Sequence, residues 1–179
     1  MTLGSHQRTI GKSQVHLTPK WLIDTLGPFD LDPCAATVRP WDCAARNITE
    51  AEDGLTADWG SSDNMVWLNP PFDRRIVASW IAKLARHGNG IALVHARTET
   101  EWFRPIWQGA DVILFLSNRL TFCTPAGDQV TVLNKMTGKR QPANSGAPVV
   151  LAAFGNKAAW RLRTSHIPGW AVRGAVSNA

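Results

Sequence analysis

The sequence predicts a single α/β domain with a mostly parallel central sheet and flanking helices. Three observations carry that expectation. Apolar runs of strand length at residues 65–69, 90–96 and 111–117 alternate with segments of helical period, the pattern of a sheet covered on both faces. A chain of 179 residues fits one domain. Its 44% hydrophobic and 18% charged residues give an ordinary globular balance, which argues against disorder.

The elements follow in order. Residues 1–15 are polar and small and are expected to form a flexible N-terminal arm. A first helix starts with Thr18 as cap and Pro19 at its first position, draws apolar contacts from Trp21, Leu22, Ile23 and Leu26, and stops at Gly27. Residues 29–32 read as a short strand ended by Pro33, and residues 37–64 as loops with brief regular pieces. The strand at 65–69 runs into Pro70-Pro71. Asp73 then caps a helix whose Ile76, Val77, Trp80, Ile81 and Leu84 share one face, and Gly88 terminates it. A strand at 90–96, a helix at 99–108, and strands at 111–117 and 119–123 come next, followed by a polar segment with a hairpin near 129–134. Residues 148–154 supply the last strand. The domain is expected to span 16–155, with 156–179 as a basic C-terminal extension.

Several classes of protein are excluded. No apolar run reaches the roughly 20 residues needed to span a bilayer, and the N-terminus lacks the apolar core of a secretory signal. Cys34, Cys43 and Cys123 stand in no C-x-x-C arrangement, and His6, His16, His87, His95 and His166 are dispersed, so neither a disulfide framework nor a metal site is indicated. A cytoplasmic protein is the expectation. The net charge of +5 is unevenly distributed: residues 1–128 carry 12 basic and all 14 acidic residues, whereas residues 129–179 carry seven basic residues and no acid. A one-sign stretch of that length points to a polyanion, and nucleic acid is the commonest. Lys135, Lys139 and Arg140 lie in its loop-rich part, and Arg74 and Arg75 directly follow the proline turn. These five are candidate nucleic-acid contacts.

The most informative residues are Asn69-Pro70-Pro71-Phe72. They follow a buried strand and precede a helix, so they sit at the carboxyl edge of the sheet, where open α/β sheets bind ligands. Prolines donate no hydrogen bond, so the turn presents carbonyls that only accept. Asn69 adds a side-chain carbonyl and Phe72 a flat face. Together they suit a planar group bearing an amino group.

Asn69-Pro70-Pro71-Phe72 resembles the [DNS]-P-P-[YFW] signature of S-adenosylmethionine-dependent amino-methyltransferases. The wider order resembles the phage N-6-adenine DNA methyltransferase family (Dam-type): Thr18-Pro19, Phe29 to Ala35, Asp53-Gly54-Leu55, Asp58-Trp59, Val66 to Phe72, and Ala96 to Phe103 all match in sequence. The resemblance covers about residues 16–155. It implies a Rossmann-like methyltransferase fold and transfer of a methyl group from S-adenosylmethionine to the exocyclic amine of an adenine flipped out of DNA. By the same resemblance Asn69, Pro70, Pro71 and Phe72 are the catalytic turn. Asp32, Pro33, Cys34 and Ala35 hold the methionine end of the cofactor, although Ala35-Ala36 stands where that motif usually carries glycine. Thr18 and Pro19 pack beside the cofactor, Asp53, Asp58 and Trp59 lie near its ribose and adenine, and Arg97 joins the DNA contacts. The acid-rich stretch 30–63 suits a cofactor bearing an ammonium, a sulfonium and ribose hydroxyls. No metal and no membrane are implied, and the protein is a monomer or a homodimer. Two alternatives stay open: a methyltransferase of the same fold acting on RNA or on a protein amide, and a catalytically inactive DNA-binding relative.

Overall fold

A computed structural model describes residues 16–174; the N-terminal arm expected at 1–15 lies outside them. The chain runs α1 (Lys20–Leu26), β1 (Leu31–Asp32), β2 (Arg46–Asn47), β3 (Val66–Leu68), α2 (Val77–His87), β4 (Gly90–His95), α3 (Arg104–Gly109), β5 (Val112–Leu116), β6 (Thr131–Leu133), β7 (Arg140–Pro142), β8 (Val149–Phe154), α4 (Asn156–Arg163) and β9 (Gly169–Arg173). Seven strands form one sheet in the order β2-β1-β3-β4-β8-β5-β9, and β6-β7 form a separate two-stranded hairpin.

The sheet is mixed. β2, β1, β3 and β4 pair in parallel. β8 inserts antiparallel between β4 and β5, and β9 runs antiparallel to β5 along the edge. β5 therefore points the same way as β1 to β4, and only β8 and β9 oppose them. Alternation along the strands explains why both faces are covered. Ile91, Leu93, Leu151 and Ala153 face Leu22 and Leu26 of α1 and Ala158 and Leu162 of α4. Ala92, Val94, Val150 and Ala152 face Ile81 and Leu84 of α2 and Ile106 of α3. Among the described residues no helix is long and apolar enough to cross a membrane.

Several expectations are corrected. Pro19, not Thr18, occupies the N-cap of α1, and no side chain caps that end. α2 begins at Val77 rather than after Asp73; Asp73 instead closes a preceding turn through its carbonyl, which accepts from the Ile76 and Val77 amides. Residues 119–123 form no strand, because Cys123 makes only single bridges to Leu17 and Gln129. Residues 148–154 are not the last strand. Residues 156–173 belong to the packed unit: α4 buries Ala158, Ala159 and Leu162 and β9 pairs with β5 along five residues. Their basic side chains hid this from a reading of charge alone.

Candidate active site

The chain leaves β1 toward β2 on one side and β3 lies on the other, so the carboxyl end of β1 is a point where the order of connection reverses. Such points open a crevice for ligands. Asp32 ends β1, Asn47 ends β2, Asn69 follows β3 and Arg97 follows β4, so all four stand at one edge.

Asp32 is buried. Its carboxyl accepts from the Cys34 amide at 2.9 Å. Burial pushes its pKa up to about 7, against the lowering effect of the Cys34 amide, the Cys43 thiol and Arg39. The same burial drives the Cys43 thiol to about 12. The Ala35 amide donates to the Ile48 carbonyl, which fixes the turn after Asp32 against the strand that carries Asn47. Asn47 is a residue that sequence reasoning missed. It lies opposite Asp32 in register, its amide nitrogen donates to the Ala44 carbonyl, and its Oδ1 is buried without a partner. A buried acceptor with no donor is costly, and a ligand hydroxyl or amine at this edge would satisfy it. No local sequence signal marks this residue, since β2 is only two residues long.

The loop after β2 closes on the same turn. Gly54 packs so tightly that an added Cβ would overlap the Pro33 carbonyl and press on Trp80. Asp53 takes left-handed backbone (φ 50°) and its carboxyl accepts from the Leu55 amide, the role of an Asp-Gly turn residue. The Asp58 carboxyl accepts from the Gly60 amide. Both acids are exposed. Trp59 lies beneath the loop rather than on its surface: it is 3% exposed, donates to the Gly54 carbonyl and stacks on Trp80. Lys83 of α2 pins the loop from below, donating to the carbonyls of Gly54, Leu55 and Ala57 at 3.2, 2.8 and 2.5 Å. It also sits over the Trp59 ring.

At the proline turn, Asn69 donates its amide nitrogen to the buried Thr18 hydroxyl at 3.3 Å. That engages the donor half of the carboxamide and leaves the carbonyl half as the one presented. Pro70 is buried, whereas Pro71 and Phe72 are exposed. One face of Phe72 stacks on His95, with ring centroids 4.1 Å apart and 23° between planes, and Phe122 meets it edge-on at 6.2 Å. His95 is a second residue whose place the sequence did not reveal. Burial, followed by the Arg97 charge, lowers its pKa to about 4, so it is a neutral platform at physiological pH.

The expected DNA contacts divide into three groups. Arg74 and Arg97 are exposed near the turn. Arg75 is engaged with Asp73 at 2.5 Å, an ion pair that holds the Asp73 carboxyl down at about 2. Lys135, Lys139 and Arg140 are exposed on the β6-β7 hairpin. An open concavity lined by Asp63, His87, Asn89, Asn156 and Lys157 lies at the amino ends of β3 and β4, away from all of these residues.

Comparison with known proteins finds no match among curated proteins or solved structures. The family model for DNA N-6-adenine-methyltransferase (Dam) matches residues 9–159. That span contains the β1 and β3 edge with Asp32, Asn47 and the Asn69-to-Phe72 turn. The chain therefore belongs to the DNA N-6-adenine-methyltransferase (Dam) family.

Proposed function

We propose that the chain is an S-adenosylmethionine-dependent methyltransferase of Rossmann-like fold that modifies the N6 amine of adenine in DNA. The observation that supports this most is the convergence, at one sheet edge, of two kinds of group. One is the buried Asp32 carboxyl with the unpartnered Asn47 Oδ1 in register opposite it, and the other is an acceptor-only turn oriented by Thr18. The residues fit the cofactor. Asp32 has a carboxyl whose ionisation a nearby cation would favour, and Asn47 Oδ1 is a buried acceptor that needs a donor. Asp32 through Ala35 would hold its methionine end, Asn47, Asp53 and Asp58 its hydroxyls and adenine, and Thr18 and Pro19 its flank. When bound, S-adenosylmethionine supplies an electrophilic methyl group on a sulfonium.

The protein's part is orientation and charge. The adenine amine is a weak nucleophile because its lone pair is delocalised into the ring. Asn69 Oδ1 and the Pro70 carbonyl, accepting from its two hydrogens, favour a tetrahedral nitrogen whose lone pair is free to attack. No strong base precedes attack, since the nitrogen becomes acidic only as it gains the methyl. Fixing reactants in line supplies much of the acceleration, and acceptors aimed at the developing positive charge supply more. Phe72, backed by His95, offers its free face to the base and offsets part of the few kcal/mol needed to extrude it. Arg74, Arg97 and the hairpin cations would contact phosphates, and the reading puts the protein with DNA in the cytoplasm.

Mapping methylated adenine in DNA from cells expressing the chain or its Asn69→Ala variant tests the proposal. Marks that depend on the chain and vanish in the variant support it. Identical marks in both remove Asn69 as the acceptor. Labelled methyl appearing in RNA or protein instead of DNA moves the substrate to another class.

A further inference from the structure

The carboxyl edge of the sheet continues well past the proline turn. β5 runs the same way as β3 and β4, and β9 opposes it, with Gly169 opposite Leu116 and Trp170 opposite Phe115. The start of β9 therefore stands on the same edge as Asn69 and Arg97. Hydrogen bonds tie the loops between them into one rim. The Ala96 amide donates to the Pro148 carbonyl at 2.8 Å, and Arg119 Nη1 donates to the Gly146 carbonyl at 2.6 Å. The Ser117 amide donates to the Pro168 carbonyl at 3.1 Å, which joins the end of β5 to the start of β9.

The far part of this rim is positive and holds an aromatic ring in water. Arg119 is exposed after β5, and Arg163 is exposed at the end of α4, on one face of the sheet. Trp170 is 78% exposed on the other face, where its cross-strand neighbour Phe115 packs toward α2 and α3. No acidic residue occurs between Asp111 and Asp128, and none follows Asp128. Guanidiniums seat on phosphates, and an indole N–H donates to a phosphate oxygen while its ring packs on the sugar. Four inter-strand steps of about 4.8 Å separate β3 from β9, roughly 19 Å along the edge. At about 3.4 Å per base pair that is about five to six base pairs. A duplex lying along the edge returns its backbone to the protein over about that half-turn.

We propose that Arg119, Arg163 and Trp170 form a second seat for the backbone of duplex DNA, about five to six base pairs to one side of the target adenine. The inference rests on the reading of the chain as a DNA methyltransferase and adds that the duplex is gripped asymmetrically. Anisotropy of the full chain on a labelled duplex of about 30 base pairs tests it, with the folding of each variant verified by melting temperature. Arg119→Ala combined with Arg163→Ala should lower the slope of log affinity against log salt by about two, and the paired Lys replacements should restore it. Trp170→Ala should raise the dissociation constant roughly tenfold, the loss of a hydrogen bond to a charged group. On duplexes carrying an adenine mapped as methylated, trimming one flank to fewer than about five base pairs should weaken the wild type but not the double Ala variant. The seat is overturned if the double variant keeps the wild-type slope, if Trp170→Ala binds duplex like the wild type, or if trimming affects both proteins equally on either flank. Loss of a dimer in Trp170→Ala, with duplex affinity unchanged, would likewise overturn it and assign the ring to a self-contact. Altered duplex binding in these variants without adenine methylation by the wild type would sink the enzyme reading and leave the seat standing. Methylation by a chain whose variants bind like the wild type would do the reverse.

Discussion

The Asn69 amide nitrogen lies 3.3 Å from the Thr18 hydroxyl, although the two residues are 51 positions apart. Thr18 is buried just before α1 and Asn69 stands at the end of β3, so the contact fastens the segment beside the first helix to the proposed catalytic turn. It also decides which half of the carboxamide faces out.

Thr18→Val removes the partner and keeps the volume. The unpaired amide costs about 1–3 kcal/mol. Turnover at saturating substrates should fall roughly tenfold as Asn69 samples the wrong orientation, equivalent to about 1.4 kcal/mol of barrier. Thr18→Ser should restore it. Equal turnover in Thr18→Val and the wild type, with folding verified by melting temperature, would show that the bond orients nothing.

With the proposed cofactor role, Asp32 should make affinity and stability respond to pH in opposite ways. Its folded pKa of about 7 exceeds the unfolded 3.8. Its contribution to stability is therefore full below about pH 4 and is lost as pH rises through about 7. A bound cation reverses the preference, so affinity for S-adenosylmethionine should fall about tenfold per pH unit below pH 7 and level off above it. Asp32→Asn should melt higher than the wild type at pH 8 without cofactor and bind cofactor far more weakly. Calorimetry from pH 5.5 to 8.5 measures both, and a flat affinity profile would remove Asp32 from the cofactor's cationic end.

His95 titrates with the other sign. Its folded pKa of about 4 lies below the usual 6.5, so stability present above pH 6.5 is lost as pH falls through about 4. The charge would form beneath Phe72 and beside Arg97. His95→Phe should flatten the acid limb of the melting-temperature profile while preserving the stack; an unchanged limb would mean the ring is solvated.

Gly54 has no room for a side chain. In Gly54→Ala the new methyl meets the Pro33 carbonyl and Trp80. Overpacking should cost about 1–3 kcal/mol and raise the dissociation constant for cofactor, because the loop carrying Asp53 must lift from the Asp32 turn. Lys83→Met should loosen the same loop from below by cutting three donated hydrogen bonds. For Lys83→Met the expected signature is weaker cofactor binding with turnover at saturating cofactor preserved. A fall in turnover with affinity unchanged would contradict the clamp.

Local sequence was enough to locate the strand that runs into Pro70-Pro71 and the end of α2 at Gly88, because each depends on neighbours a few residues away. Proline fixes its own backbone, glycine reaches left-handed geometry alone, and an apolar run marks a buried strand wherever it packs. The family signature was legible for the same reason, its residues being contiguous. Local pattern could not fix the direction of β8 or reveal β9, since an apolar strand reads alike whichever way it runs, and an exposed edge strand such as Gly169–Arg173 carries little apolar signal. Tertiary structure alone joined Thr18 to Asn69, set Asn47 beside Asp32, put His95 under Phe72 and raised Met136 on a hairpin rooted at Phe122. Those relationships come from long-range packing. The desolvation that moves the Asp32 and His95 protons exists only once distant segments exclude water around them.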